Sequence, residues 1–283
     1  MAPRSQPTAR QVRLGAELRK LRDVAGMSAR EVAGRLSSTS AQMSQVEAGL
    51  SGVSEERVRK LAALYACRDE PLIDALVAMA ADRTRGWWEG YRGVLPPTFL
   101  DLAELEHHAR FIQVIGTAHV PGLLQTEDYA RAVFSYWVPE FVAGEVEPRV
   151  EHRMRRKEVI TREGAVAYEA IVHESVLRTR VADREVARAQ LDEILKQSER
   201  PNVTVRVVPF DADGFAGASA ALFYLGGPVT ALDTVQRDTP YGTAFLDDAA
   251  QLLAMRTLFR KVESVSLDLM KSRDFIHRLV KEL

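Results

Sequence analysis

A single cysteine in 283 residues, Cys67, leaves no partner for an internal disulfide and excludes a multi-cysteine zinc site. We read it as a small apolar residue. No apolar run approaches the roughly 20 residues that cross a bilayer. The opening residues, MAPRSQPTARQVR, have no apolar stretch, so a secretory signal is not expected and the chain reads as cytoplasmic. Catalytic signatures are missing as well. There is no G-x-x-x-x-G-K-[ST], no G-x-G-x-x-G after a strand, no H-E-x-x-H and no G-x-S-x-G. Glu104, His107 and His108 are helix neighbours, but no further well-spaced ligand accompanies them, and His119, His152, His173 and His277 are scattered. We expect no enzyme activity, no cofactor and no metal.

Neither charge dominates, yet the near-neutral total hides an asymmetry. The chain sums to −1, whereas residues 1–65 carry eleven Lys/Arg against six Asp/Glu, leaving 27 against 33 in the rest. A basic head on an acidic body suits phosphate binding by one end.

What is present is concentrated in residues 27–49, MSAREVAGRLSSTSAQMSQVEAG. Ser28 opens an S-x-x-E capping box, with Met27 placed to staple onto Val32. Thr39 opens a second box with Gln42, and Gly49 stops that helix at its C′ position. Leu14, Leu18, Leu21 and Ala25 make an apolar stripe before this pair; Val58, Leu61, Ala62 and Tyr65, behind a Ser54 cap, make another after it. Val32, Leu36, Met43, Val46 and Leu50 can fill the core between them. Two short helices on a tight turn can lay one helix across a DNA backbone and the next into the major groove. Placing Met43, Val46 and Leu50 inward leaves Ala41, Ser44, Gln45 and Ala48 on the opposite face.

Residues 10–66 resemble the phage-repressor (XRE-like) class of helix-turn-helix domains. In that class Glu47 and Gly49 match the end of the recognition helix, and Ala33 a tight helix crossing. The resemblance places base reading on Ser40, Ala41 and Gln45, of which Gln45 can bond adenine and the Ala41 methyl can meet a thymine methyl. Gln42 either reads a base or caps its own helix. Ser28, Thr39 and Ser44 complete the candidate DNA-contact set, with Arg10, Arg13 and Arg30 as backbone contacts. Ala29 stands where the class often carries Gln, which removes one expected contact. With few long polar side chains on the helix, direct readout should be modest and DNA shape should contribute. The class usually acts as a symmetric dimer on double-stranded DNA. No coiled coil is present, so dimerisation would fall to the body.

Beyond Tyr65 the character changes. Leu72, Ala75, Leu76 and Met79 mark a connecting helix reaching about Arg85, and GWWEGYRGVLPPTF (86–99) reads as a packed elbow that either anchors that helix or lines a ligand cleft. The body alternates helix and strand patterns: a helix around Ala103–Ala109, strands at 110–117, 166–174 and 202–210, helices after Thr126 and Asp183, a hairpin over 218–236 bent at Gly226-Gly227-Pro228, and two closing helices. Residues 145–161 read as a charged helix whose Arg149, Arg153, Arg155, Arg156 and Lys157 alternate with glutamates; a solvated face with i,i+4 pairs is the expectation, a second DNA surface the alternative. The expected architecture is an all-α helix-turn-helix bundle of about five helices and a C-terminal α+β domain with a mainly antiparallel sheet and flanking helices. The expected boundaries are 1–66, a connecting helix 67–86, and 87–283.

The blocks GWWxxYRxVLPPxF, VPGLLQTEDYAR, HRMRRKEVIT and ERPNVTVRVVPF are similar to a family of actinobacterial, antitoxin-like transcriptional regulators. That resemblance implies a regulatory C-terminal domain that meets a small molecule or a small partner protein encoded nearby, and a nucleoid-associated regulator. The alternative it allows is an antitoxin-like protein that sequesters its partner and controls only its own promoter.

Overall fold

The computed structural model describes residues 6–82, 84–136, 141–142, 144–217, 221–239 and 242–283. The first five residues and the start of the expected 218–236 hairpin, 218–220, lie outside the described residues. Contacts divide the chain into two units, 1–89 with 97–105 and 228–232, and 90–96 with 106–227 and 233–283.

The first unit carries α1 (Ala9–Val24), α2 (Ala29–Arg35), α3 (Ser40–Glu47), α4 (Glu55–Leu64) and α5 (Glu70–Ala81), together with residues 97–105 of the helix that follows. Each of α1 to α5 begins where a side-chain oxygen takes an otherwise orphaned backbone N–H: Thr8, Ser28, Thr39, Ser54 and Asp69 respectively. The box of Thr8 with Gln11 is a third one, besides the two read from 27–49. Leu18, Val32, Met43, Val46, Val58, Leu61 and Tyr65 form one core, and Leu72, Ile73, Leu76 and Ala80 of α5 pack into it. The expected connecting segment is thus a fifth helix of the bundle, ending at Ala81 rather than near Arg85. Leu50, expected inside, is only half-buried. Gly49 closes α3 with φ of 73°, a conformation in which glycine has no steric cost.

The second unit takes its helices and strands in the order α6 (Pro97–His108, of which the last residues belong here), β1 (Phe111–Gly116), α7 (Glu127–Ser135), α8 (Val146–Arg156), α9 (Glu158–Thr161), β2 (Ala167–His173), α10 (Glu174–Arg178), α11 (Arg184–Gln197), β3 (Val203–Val208), β4 (Leu222–Gly226), β5 (Thr234–Thr239), β6 (Gly242–Leu246), α12 (Ala249–Ser264) and α13 (Leu269–Glu282). The strands form one mixed sheet in the order β3-β2-β1-β4-β5-β6. β1, β2 and β3 run parallel, while the pairings β1–β4, β4–β5 and β5–β6 are antiparallel, so the sheet is antiparallel in three of its five pairings. The parallel half follows from helices standing between successive strands, since a parallel neighbour needs a long crossover. β4 is buried at every position, as a central strand covered on both faces should be. β6 and the short α10 were not expected. The charged run of 145–161 breaks at Lys157 into α8 and α9. No helix among the described residues is long and apolar enough to cross a membrane.

Candidate nucleic-acid interface

The two capping boxes set the ends of α2 and α3 and consume much of their polar chemistry. Glu31 accepts from both the Ser28 backbone N–H and the Ser28 hydroxyl at 2.7 Å. The Gln42 side-chain oxygen accepts from the Thr39 N–H at 3.1 Å and from the Ser38 hydroxyl at 2.8 Å, and Arg57 donates to that same hydroxyl at 2.9 Å. Of the two roles open to Gln42, it makes the cap. Ser40, Ala41, Ser44 and Ala48 are exposed on α3, and Arg30 is exposed on α2. Gln45 is half-buried and accepts from the Ser51 hydroxyl at 3.3 Å, while the Ser44 hydroxyl turns back to the Ser40 carbonyl at 3.0 Å. The outward side of α3 is therefore a strip of short side chains with one longer amide.

Two candidates do not fit their expected role. Arg13 is 5% exposed; it bonds the Ala231 carbonyl and pairs with Glu17 at 3.2 Å, so it is a structural cation of the first unit and not a phosphate contact. Arg10 pairs with Asp82 at 3.1 Å, and burial pulls its guanidinium below the ordinary value. Spacing on α1 gave no sign that the turns carrying Arg10 and Arg13 face inward, because Asp82 and the Ala231 carbonyl lie far away in the chain.

A more consequential pair also escaped the sequence. Arg22 donates from Nε and Nη2 to both carboxylate oxygens of Glu47, at 2.6 and 2.9 Å, and from Nη1 to the Met27 carbonyl at 2.8 Å. That hydrogen bonding raises the Arg22 pKa. The contact ties α1 to the C-terminal end of α3. Beside it the helices cross almost backbone to backbone: a Cβ on Gly15 would stand 2.5 Å from the Glu47 carbonyl oxygen and 2.6 Å from that of Val46. The resemblance places a tight crossing at Ala33; the close backbone approach seen here falls at Gly15.

In the second unit the charged helix α8 overturns the expectation of a solvated face. Arg149, His152 and Arg156 are buried. Arg156 forms a forked pair with Glu106, Nε to Oε2 at 2.8 Å and Nη2 to Oε1 at 2.6 Å. Arg153 donates to the Gln125 side-chain oxygen at 2.8 Å and lies 4.4 Å from the centre of the Phe134 ring. Lys157 pairs with Glu193 at 2.6 Å. No group of three or more His, Cys, Asp or Glu among the described residues is placed to hold a metal ion. Glu104 turns toward Thr8 and Arg10, whereas the His107 ring bonds Arg162.

His152 stands 1% exposed beside the Tyr91 ring, and burial together with Arg156, Arg153 and Arg155 pushes its pKa down to about 3. The unfolded chain therefore binds a proton that the folded one rejects, between the ordinary histidine value of about 6.5 and about 3. The stabilisation is present at neutral pH and is lost as pH falls through that window. Denaturation of the full chain at stepped pH should show a one-proton slope, about 1.4 kcal/mol per pH unit, that His152→Gln removes. An unchanged slope in the variant would assign the acid sensitivity elsewhere.

Five capped helices with a short-faced α3 define a helix-turn-helix protein, the class of DNA-binding regulators, and a helix-turn-helix domain family matches residues 13–76. The chain belongs to the family of a domain of unknown function, DUF5753, which matches residues 99–278. Neither a curated protein nor a solved structure matches the chain.

Proposed function

We propose that this protein is a sequence-specific, XRE-like transcriptional regulator of the actinobacterial kind, binding its operator as a symmetric dimer and changing operator affinity when the C-terminal domain meets a small molecule or protein. The observation that carries it is the pair α2–α3, doubly capped, with Ser40, Ala41, Ser44 and Gln45 on one outward side of α3. Ser40 and Ala41 lie at the end of α3 that enters a groove, and Gln45 supplies the amide that can bond an adenine edge. Exposed Arg30 supplies a phosphate contact in place of Arg10 and Arg13. Two heads on a two-fold operator would read half-sites about 34–36 Å apart.

Binding of genomic fragments by the full chain at low ionic strength tests the reading. A set of preferred fragments is expected; equal affinity for all of them ends it. On a preferred fragment, Gln45→Ala should reduce discrimination against random DNA by about 1–3 kcal/mol. An unchanged footprint and affinity would show that α3 docks by another face.

A further inference from the structure

We propose that the second unit contains a binding site for an anionic group of a small molecule, a carboxylate or a phosphate, made by Arg153 and Arg156 of α8 over the backbone of Gly122, with the Tyr168 hydroxyl of β2 within electrostatic reach of Arg156. The site names a ligand class for the regulator reading and rests on that reading only for its effect at the operator.

Four observations converge. The two guanidinium groups meet at a position that lacks a side chain: a Cβ on Gly122 would lie 3.6 Å from Arg153 Nε and 3.7 Å from Arg156 Nη1. Among the described residues one carboxylate, Glu106, stands within hydrogen-bond reach of these cations, and it is taken up by the Nε and Nη2 of Arg156. Asp238 also acts on both arginines from further away, and its Oδ1 accepts from Gln236 and Thr243. Lys157 is matched by Glu193.

Donors are left over. Arg153 Nε is shut off from solvent and has no hydrogen-bond partner among the described residues. The Tyr168 hydroxyl is in the same condition, on a side chain that is 0% exposed and within electrostatic reach of Arg156. Buried polar groups are almost always bonded, so two orphaned donors, one on Arg153 and one within electrostatic reach of Arg156, call for an acceptor. Burial, with the crowding of Arg153 against Arg156, pulls the Arg153 pKa down to about 9, the direction an incoming anion would reverse. Arginine forks match the planar oxygens of carboxylates and phosphates. The depth of Tyr168 and Arg156 favours a small anion over a protein surface. Arg153 itself keeps partial exposure, which leaves an approach from solvent.

The test is thermal melting of the full chain at fixed ionic strength in chloride, in inorganic phosphate and in citrate. Phosphate or citrate should raise the melting temperature by about 2–4 °C over chloride near saturation, and the better of the two identifies the oxygens recognised. Arg153→Gln should abolish the rise while leaving the basic head, and any anion bound there, untouched. Tyr168→Phe should shrink the rise without lowering the melting temperature in chloride, because it removes a hydroxyl that has no partner. An equal rise in wild type and Arg153→Gln, or no rise with either anion, overturns the site. Operator affinity measured by fluorescence anisotropy in the same buffers separates the two claims. A change confined to the wild type joins the site to regulation. An intact, Arg153-dependent melting shift with constant operator affinity supports the site and removes its regulatory role.

Discussion

Glu106→Ala is expected to unfold the region around α6 and α8, with a loss of about 3–5 kcal/mol. Glu106 is 1% exposed and Arg156 6%, so truncating the carboxylate leaves a guanidinium in the interior with no counter-charge in bonding distance. The penalty is that of the stranded cation rather than the net worth of the pair. Two further variants separate these. Arg156→Met alone strands the carboxylate and should cost a comparable amount. Glu106→Met with Arg156→Met removes both charges and should cost much less than the sum of the singles, since apolar replacements of buried pairs are often tolerated. Hydrogen exchange of β1 and β2 amides in the full chain reads the effect on the second unit directly. Additive losses in the double variant would show that the two side chains act independently.

Glu47→Ala should be as damaging in the first unit, about 3–5 kcal/mol, and should abolish operator binding without touching a base. The side chains of Arg22 and Glu47 are 10% and 7% exposed, and the carboxylate takes the Nε and Nη2 of Arg22, leaving it after truncation only the Met27 carbonyl and the exposed Asp23 at 2.7 Å. A five-helix bundle of this size has a stability of the same order as that loss, so α3 would be largely disordered at 37 °C. Exchange protection of α3 amides should fall to the level of a frayed segment while β1–β3 remain protected. Retained α3 protection with lost binding would instead place Glu47 at the DNA surface.

Local signals were legible and distant ones were not. The caps at Ser28, Thr39 and Ser54, the stop at Gly49 and the helix starts at Thr126 and Asp183 are each decided by residues within a few positions, and each is where the pattern placed it. Strands β1 and β2 were visible as short strand patterns and β3 by its alternation, but not that they lie parallel, because that depends on the helices crossing between them. β6 escaped because its Thr-Ala-Phe-Leu is half-buried throughout and shows no alternation. The turn between α2 and α3 passes through Ser37 at φ of 50°, which a serine does not announce. Of the candidate interface, the outward set on α3 could be read from helical geometry. The inward role of Arg13 and the burial of Arg156 could not, since their partners stand 218 and 50 residues away. An arginine looks the same in a string whether it meets water, phosphate or a buried carboxylate.

The crossing at Gly15, where a methyl group would collide with the main chain of Val46 and Glu47, has a consequence for control. Held there by contact and by a charged clasp, the reading rod and its support move as one stiff body, and pivoting the rod alone is not an available motion. A signal of the kind proposed would then change how the head is delivered to the duplex, leaving the shape of its tip alone. For a paired assembly of the kind proposed, that puts the tuning in the stride between successive grooves, where operators of altered length would feel it before operators of altered letters.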